Sequence, residues 1–156
     1  MTTSILGEIA DEVHLSALCL ASVLALSTQS ARSEPLVGAW QTADASSHVR
    51  FEPCGTRTCG RIFWLREPID SETGLQWRDK FNPNDTLKRR SLLGLVIVSG
   101  LRETVAGQWQ GELYNPLDGR TYGGHFRVLD AGRLELKGCA LAGLICQSEI
   151  WMRVGP

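Results

Sequence analysis

From about position 37 onward, apolar and polar residues alternate in short runs separated by turn residues, the two-residue period of strands with one buried face. In 133–137, Leu134 and Leu136 interleave with Arg133, Glu135 and Lys137. In 121–129, Tyr122, Gly124, Phe126 and Val128 share one face, and Thr121, Gly123, His125 and Arg127 the other. Val49 and Phe51 alternate with His48, Arg50 and Glu52. The pattern predicts eight strands, at 36–42, 47–53, 59–66, 92–99, 107–115, 120–129, 132–139 and 145–154. In the last of these, Trp151 and Arg153 fall on one face and Ile150 and Met152 on the other. Both faces are partly apolar, so the pattern does not say which one turns inward.

Turn chemistry supports antiparallel neighbours. Asp130-Ala131-Gly132 and Asn115-Pro116-Leu117-Asp118-Gly119 each join two strands, and Pro53-Cys54-Gly55 opens a turn that Cys59-Gly60 ends. One connection is longer. Residues 67–91 hold Pro68, Gly74, Asn82, Pro83 and the basic run Lys88-Arg89-Arg90, and Asn84 or Asp85 is expected to cap one short helix ending near Ser91. This loop after the third strand is the expected place for a lid or binding element. Eight antiparallel strands with no second helix layer must hide their edges. An all-β, eight-stranded antiparallel up-and-down barrel does so and leaves room inside for side chains or one small ligand. A two-sheet sandwich is the alternative.

The N-terminal region carries a different signal. Residues 15–26 (LSALCLASVLAL) form an apolar run of twelve, short of the roughly 20 residues a bilayer-spanning helix needs. Small polar residues follow, with cleavage expected after Ala31 or Ser33, so residues 1–33 read as a signal peptide and 34–156 as a single domain. The usual basic start is missing, because residues 1–14 carry Glu8, Asp11 and Glu12 and no Lys or Arg. A start nearer the apolar run would account for that; a buried N-terminal helix or retained anchor is the other reading. Lipidation at Cys19 fits poorly, since Leu18 precedes it in mid-run. The expected address is periplasmic or secreted, with no stable membrane span after cleavage.

Composition narrows the function class. The 156 residues are 43% hydrophobic and 21% charged with a net charge of -1, which suits one folding domain and excludes a basic nucleic-acid or membrane-surface binder. Cleavage would remove three acidic residues and one basic, leaving 15 basic against 14 acidic. Of five cysteines, Cys19 falls in the signal segment, leaving Cys54, Cys59, Cys139 and Cys146. Four cysteines allow three pairings; the local one, Cys54–Cys59 with Cys139–Cys146, is the simplest, each small loop contributing about 2 kcal/mol in an oxidising compartment. A four-cysteine zinc site is the rival, but C-x4-C and C-x6-C are loose spacings without an adjacent histidine.

Catalytic patterns are weak. His48 and His125 sit among polar strand residues, and neither a Ser–His–Asp order nor a Gly-x-Ser-x-Gly elbow occurs. Asp70, Glu72 and Asp79 lie in the long loop, where they could bind calcium or act as acid and base, but no EF-hand pattern is present and Asp70-Ser71-Glu72-Thr73-Gly74 reads better as a turn. The expectation is therefore no enzyme, no metal and no cofactor. Trp64, Trp77, Trp109, Tyr114 and Tyr122 offer apolar area with polar edges, as core or as pocket lining. Trp64, Tyr122, Trp77 and Tyr114 are the candidate ligand contacts, with Arg90 placed to fork onto a carboxylate or phosphate.

Several motifs taken together resemble a known bacterial family. They are Pro53-Cys54-Gly55-x-x-x-Cys59-Gly60-Arg61-Ile62-x-Trp64-Leu65, Asp79-x-x-Asn82-Pro83, Leu92-Leu93-Gly94-Leu95, Gly100-Leu101 and Trp109-x-Gly111. Tyr114-Asn115-Pro116-x-Asp118-Gly119-x-x-Tyr122, Gly138-Cys139 and Trp151-x-Arg153 complete the set. In this order they resemble the domain-of-unknown-function 2147 family across nearly the whole chain after residue 33. The resemblance implies a small exported protein on a lipocalin-like, or calycin, barrel, with no established activity and a carrier role inferred from the fold. It also implies that Gly38-Ala39-Trp40 opens the barrel, with Trp40 plugging its base and Arg153 packed over the indole. The expected function is non-covalent binding of a small apolar or amphipathic molecule by a monomer or weak homodimer. The alternative is an envelope interaction module whose barrel is filled by its own side chains.

Overall fold

The structure is a computed structural model that describes residues 35–155. The expected signal peptide, residues 1–33, lies outside the described residues. Eight strands follow in chain order: β1 Gly38–Gln41, β2 Ser47–Cys54, β3 Arg57–Leu65, β4 Val96–Val105, β5 Gln108–Asn115, β6 Arg120–Asp130, β7 Arg133–Ala140 and β8 Ile145–Arg153. Each pairs antiparallel with its chain neighbour, and β8 returns to β1, closing an up-and-down barrel.

The fourth strand departs most from expectation. Residues 92–95 spend their backbone groups elsewhere: Leu92 N–H donates to Trp77 O at 2.9 Å, and Gly94 N–H to Ile62 O at 2.8 Å. The strand then runs on to Val105 through a bulge at Gly100, whose φ of 64° suits glycine. The short helix expected in the long loop is not formed. Residues 84–90 make successive tight turns, with Leu87 N–H on Asn84 O and Arg90 N–H on Leu87 O. Backbone pairing competes there, because Asp79 N–H donates to Arg90 O and Arg78 bridges to Ser91. The described residues contain one helical turn, the 3-10 segment Leu141–Gly143 between β7 and β8.

Alternate connections lie at alternate ends of such a barrel. The tight turns β2–β3, β4–β5 and β6–β7 share one end. Residues 42–46, 66–95, 116–119 and 141–144 share the other. The first end is plugged. Trp40 is fully buried and donates its indole N–H to Leu36 O at 2.8 Å. Arg153 lies over that ring, its guanidinium carbon 4.1 Å from the centroid. The same guanidinium donates to Ala131 O at 2.6 Å, Pro35 O at 2.7 Å and Val37 O at 3.3 Å, sewing together three chain segments. At Gly38 an added Cβ would stand 2.9 Å from Arg153 Nη1, so the glycine lets the arginine pass. Above this plug, Val49, Phe51, Val98, Leu101, Phe126, Leu134, Leu136 and Trp151 form the buried core.

The long loop is fixed to the barrel by a second close approach. Gly119, at φ 71°, presents its backbone to Phe81, whose carbonyl occupies the place a Cβ would take. Replacing Gly119 by alanine is expected to cost about 2 kcal/mol. Gly55, at φ 64° with open space around it, is the matched control and is expected to cost about 1 kcal/mol. Urea midpoints at constant slope compare the two, and equal losses would show that the Phe81 contact carries nothing.

Candidate functional site

The site is built from the phase of β8. Trp151 is buried and lies 6.3 Å, centroid to centroid, from Phe51, so it faces inward. Alternation then turns Glu149 and Gln147 inward as well. Trp151 donates its indole N–H to Glu149 Oε2 at 3.1 Å, which places both side chains on one face. Across the ladder, Leu136 stands opposite Glu149 and Gly138 opposite Gln147. On β6 the same inner face carries Tyr122, Gly124 and Phe126, and on β5 Leu113.

Glu149 and Gln147 are nevertheless exposed, while Tyr122, Leu113 and Gly138 are half-buried. The pairing explains this. β8 pairs with β7 over eight residues but with β1 only at Trp40–Arg153 and Gln41–Met152. The wall is tall at β7–β8 and low on the β1 side, so water reaches inward to the level of Glu149. Below these exposed inward positions, buried Phe126, Leu136 and Trp151 form an apolar floor. Gly124 permits that floor, because an added Cβ would stand 2.8 Å from the Phe126 ring.

The five residues expected at a ligand do not converge. Tyr122 stands on the inner wall near the rim, its hydroxyl donating to Asp118 Oδ2 at 2.5 Å. That bond to a carboxylate raises the phenol above its ordinary pKa, so it remains a neutral donor. Trp64 lies on the outer face. Simple alternation from the buried Ile62 would turn it inward, but a bulge between His48 and Val49 in the β2–β3 register reverses the phase. Its ring stacks on His48 at 4.1 Å, and Arg50 covers the adjacent Phe63 at 4.4 Å. Trp77 belongs to the long loop, half-buried against the core with Lys80 Nζ 4.8 Å from its ring centroid.

Tyr114 and Arg90 come together at a buried carboxylate rather than in the barrel interior. Asp79 is fully buried. Its Oδ2 accepts from Arg90 Nε and Nη2, both at 2.8 Å, and from Asn82 Nδ2 at 2.9 Å. Its Oδ1 accepts from the Tyr114 hydroxyl at 2.5 Å. Leu113 faces inward, so its neighbour Tyr114 faces out, and the network clamps the loop against the outside of β5. Burial, then the Asp79 carboxylate, raise the Tyr114 phenol above its ordinary pKa. Asp70 is the other buried loop acid; its Oδ1 accepts from Glu72 N–H in the local turn.

Two disulfides bracket turns at opposite ends. Cys54–Cys59 closes the β2–β3 hairpin and Cys139–Cys146 the β7–β8 connection. On the outer face of β5–β7 a shallow depression of about 190 Å³ is lined by Gln108, Gln110, His125, Arg127, Glu135 and Lys137. Arg127 and Glu135 pair across it at 2.9 Å, so it is a polar exterior patch. The inner positions Glu149 and Gln147 were not singled out from sequence. The available signal was their two-residue spacing from Trp151, which needed that strand's phase to be read.

The comparisons agree with this architecture. Residues 38–153 match the family model described as an uncharacterised protein conserved in bacteria, DUF2147. Among solved structures, protein HP1028 from the human pathogen Helicobacter pylori, described as belonging to the lipocalin family, is similar at 26% identity and a TM-score of 0.66. The similarity covers 78% of this chain and 84% of that one. No curated protein matches. With a family match from the opening glycine of β1 to the closing arginine of β8, on a lipocalin-like barrel, the chain belongs to the DUF2147 family.

Proposed function

We propose that this protein is exported and binds a small, partly apolar molecule non-covalently in the open half of its barrel. The observation that carries the reading is the exposure of the inward positions Gln147 and Glu149 directly above buried Phe126, Leu136 and Trp151. Above a buried apolar floor, the inner wall stays accessible and carries a few polar groups, the arrangement by which small-ligand sites bury apolar surface and orient it. Of the residues expected at a ligand, Tyr122 lines this wall; Arg90 and Tyr114 are engaged by Asp79, and Trp64 faces outward. No catalytic step enters the reading. The two disulfides support an oxidising compartment such as the periplasm, with residues 1–33 proposed as the cleaved signal.

A second reading has its own observation. The disulfide-closed tip between β7 and β8 exposes Leu141, Leu144 and Ile145, and exposed apolar clusters of this kind mark interaction surfaces. An interaction module would use that tip with the barrel empty of ligand.

Native mass spectrometry of the gently purified protein separates the two. The expected result is a reproducible added mass that disappears on denaturation, together with four fewer hydrogens than the reduced chain. A bare mass that also fails to shift with fatty acids and other apolar metabolites turns the reading to the interaction module.

A further inference from the structure

We infer that the barrel selects amphipathic ligands whose head group is cationic and donates hydrogen bonds, a primary ammonium being the simplest, and that Glu149 is the residue that seats it. The inference rests on the binding role proposed above and specifies the ligand class.

Glu149 is the charged side chain among the inward positions of β6, β7 and β8 that lie between the rim and Trp151. Its described companions on that wall are Leu136, Gly138, Tyr122 and Gln147. One carboxylate oxygen is held by the Trp151 indole at 3.1 Å, which aims the group, and no described residue bonds the other oxygen. No ion pair joins Glu149 to another described residue. That contrasts with Asp79, whose oxygens are all spoken for. A carboxylate held in place by one donor, without an ion-pair partner among the described residues and set above an apolar floor, is complementary to an ammonium with an alkyl tail.

The geometry also disfavours the opposite charge. An anionic head at this depth would sit beside Glu149, and the inward positions of β6, β7 and β8 between the rim and Trp151 offer no cation. The cation on the same face of β6 is Arg120, which is exposed at the rim, and Asp118 adjoins it, its Oδ1 accepting from Arg120 N–H at 2.9 Å. Gln147, one inward position above Glu149, adds an amide able to donate and accept but no charge. A tail entering over the low β1 side would pass Glu149 before reaching Leu136 and Phe126.

The test titrates the purified protein calorimetrically with dodecylammonium and with dodecanoate, each below its micelle threshold, at neutral pH and low salt. The wild type is expected to bind the ammonium about tenfold more tightly, the scale of one charge-assisted contact discounted for solvent. Glu149→Gln is expected to remove most of that preference without weakening dodecanoate. Glu149→Asp, which keeps the charge, is expected to retain its direction and to show that the site survives substitution. Equal binding of the two probes by the wild type, or a preference that persists in Glu149→Gln, overturns the role of Glu149 while leaving barrel binding intact. If neither probe binds the wild type, the binding reading itself fails and this inference with it.

Discussion

Replacing Trp40 by alanine is expected to destabilise the barrel by about 4 kcal/mol, within the range for emptying a buried aromatic site. Trp40 is fully buried at the plugged end. Leu36 O would lose its indole donor, and Arg153 would lose the ring it covers at 4.1 Å. Arg153 bonds to three backbone carbonyls, so its replacement by alanine is also expected to cost stability through a partly shared mechanism. Urea unfolding of both single variants and the double variant measures the coupling. The double loss should fall short of the sum of the singles by about 1 kcal/mol, the scale of a partly desolvated cation–π contact. Strict additivity would mean that the stacked arginine contributes nothing through the ring.

Asp79→Ala is expected to cost about 3 kcal/mol, because it strands the donors of Arg90, Asn82 and Tyr114 around a vacated acceptor. Arg90 remains 37% exposed in its side chain, so part of its charge can be resolvated, and the loss should fall short of a fully buried pair. Asp79→Asn keeps the shape but turns an amide towards the guanidinium, and is expected to recover less than half of the loss. Hydrogen exchange localises the effect. The amides of Trp77, Asp79 and Leu92, bonded within the loop or across it, should lose protection first, while those of β6 and β7 keep theirs. Uniform loss across the barrel would show that the clamp is part of the global folding unit rather than a loop fastening.

Strand number and order were legible because each strand has a mostly polar outer face against which inner apolar residues stand out. In β7, Leu134 and Leu136 are buried while Arg133 and Lys137 are exposed, as the pattern required. Legibility failed wherever phase or partnership depended on another strand. Trp64 looked like a pocket residue, but one bulge in β3 put it outside, stacked on His48. Asn84 signalled a helix start, and its side chain does accept from Thr86 N–H. The pairing of Asp79 with Arg90 then held the segment in turns. By local pattern Asp79 is one of a few loop acids. Its partners Arg90 and Tyr114 lie 11 and 35 residues away, beyond the reach of any local pattern.

The sequence by itself determined an all-β chain of eight strands, the family it resembles and its local cysteine loops as the simplest pairing, and that resemblance in turn implied the Trp40–Arg153 plug. The strands and cysteine loops follow from periodicity and turn residues, which act over short stretches, and the family from the order of its motifs. Tertiary structure alone decided which side of β8 faces inward, because Ile150 and Met152 are apolar yet remain exposed at 40% and 49%. Closure of β8 onto β1 settles that phase. The short pairing between those two strands also leaves one wall low, and that opens Glu149 to solvent. The candidate site is therefore a consequence of barrel closure, in which one residue of register reverses every side chain on a strand.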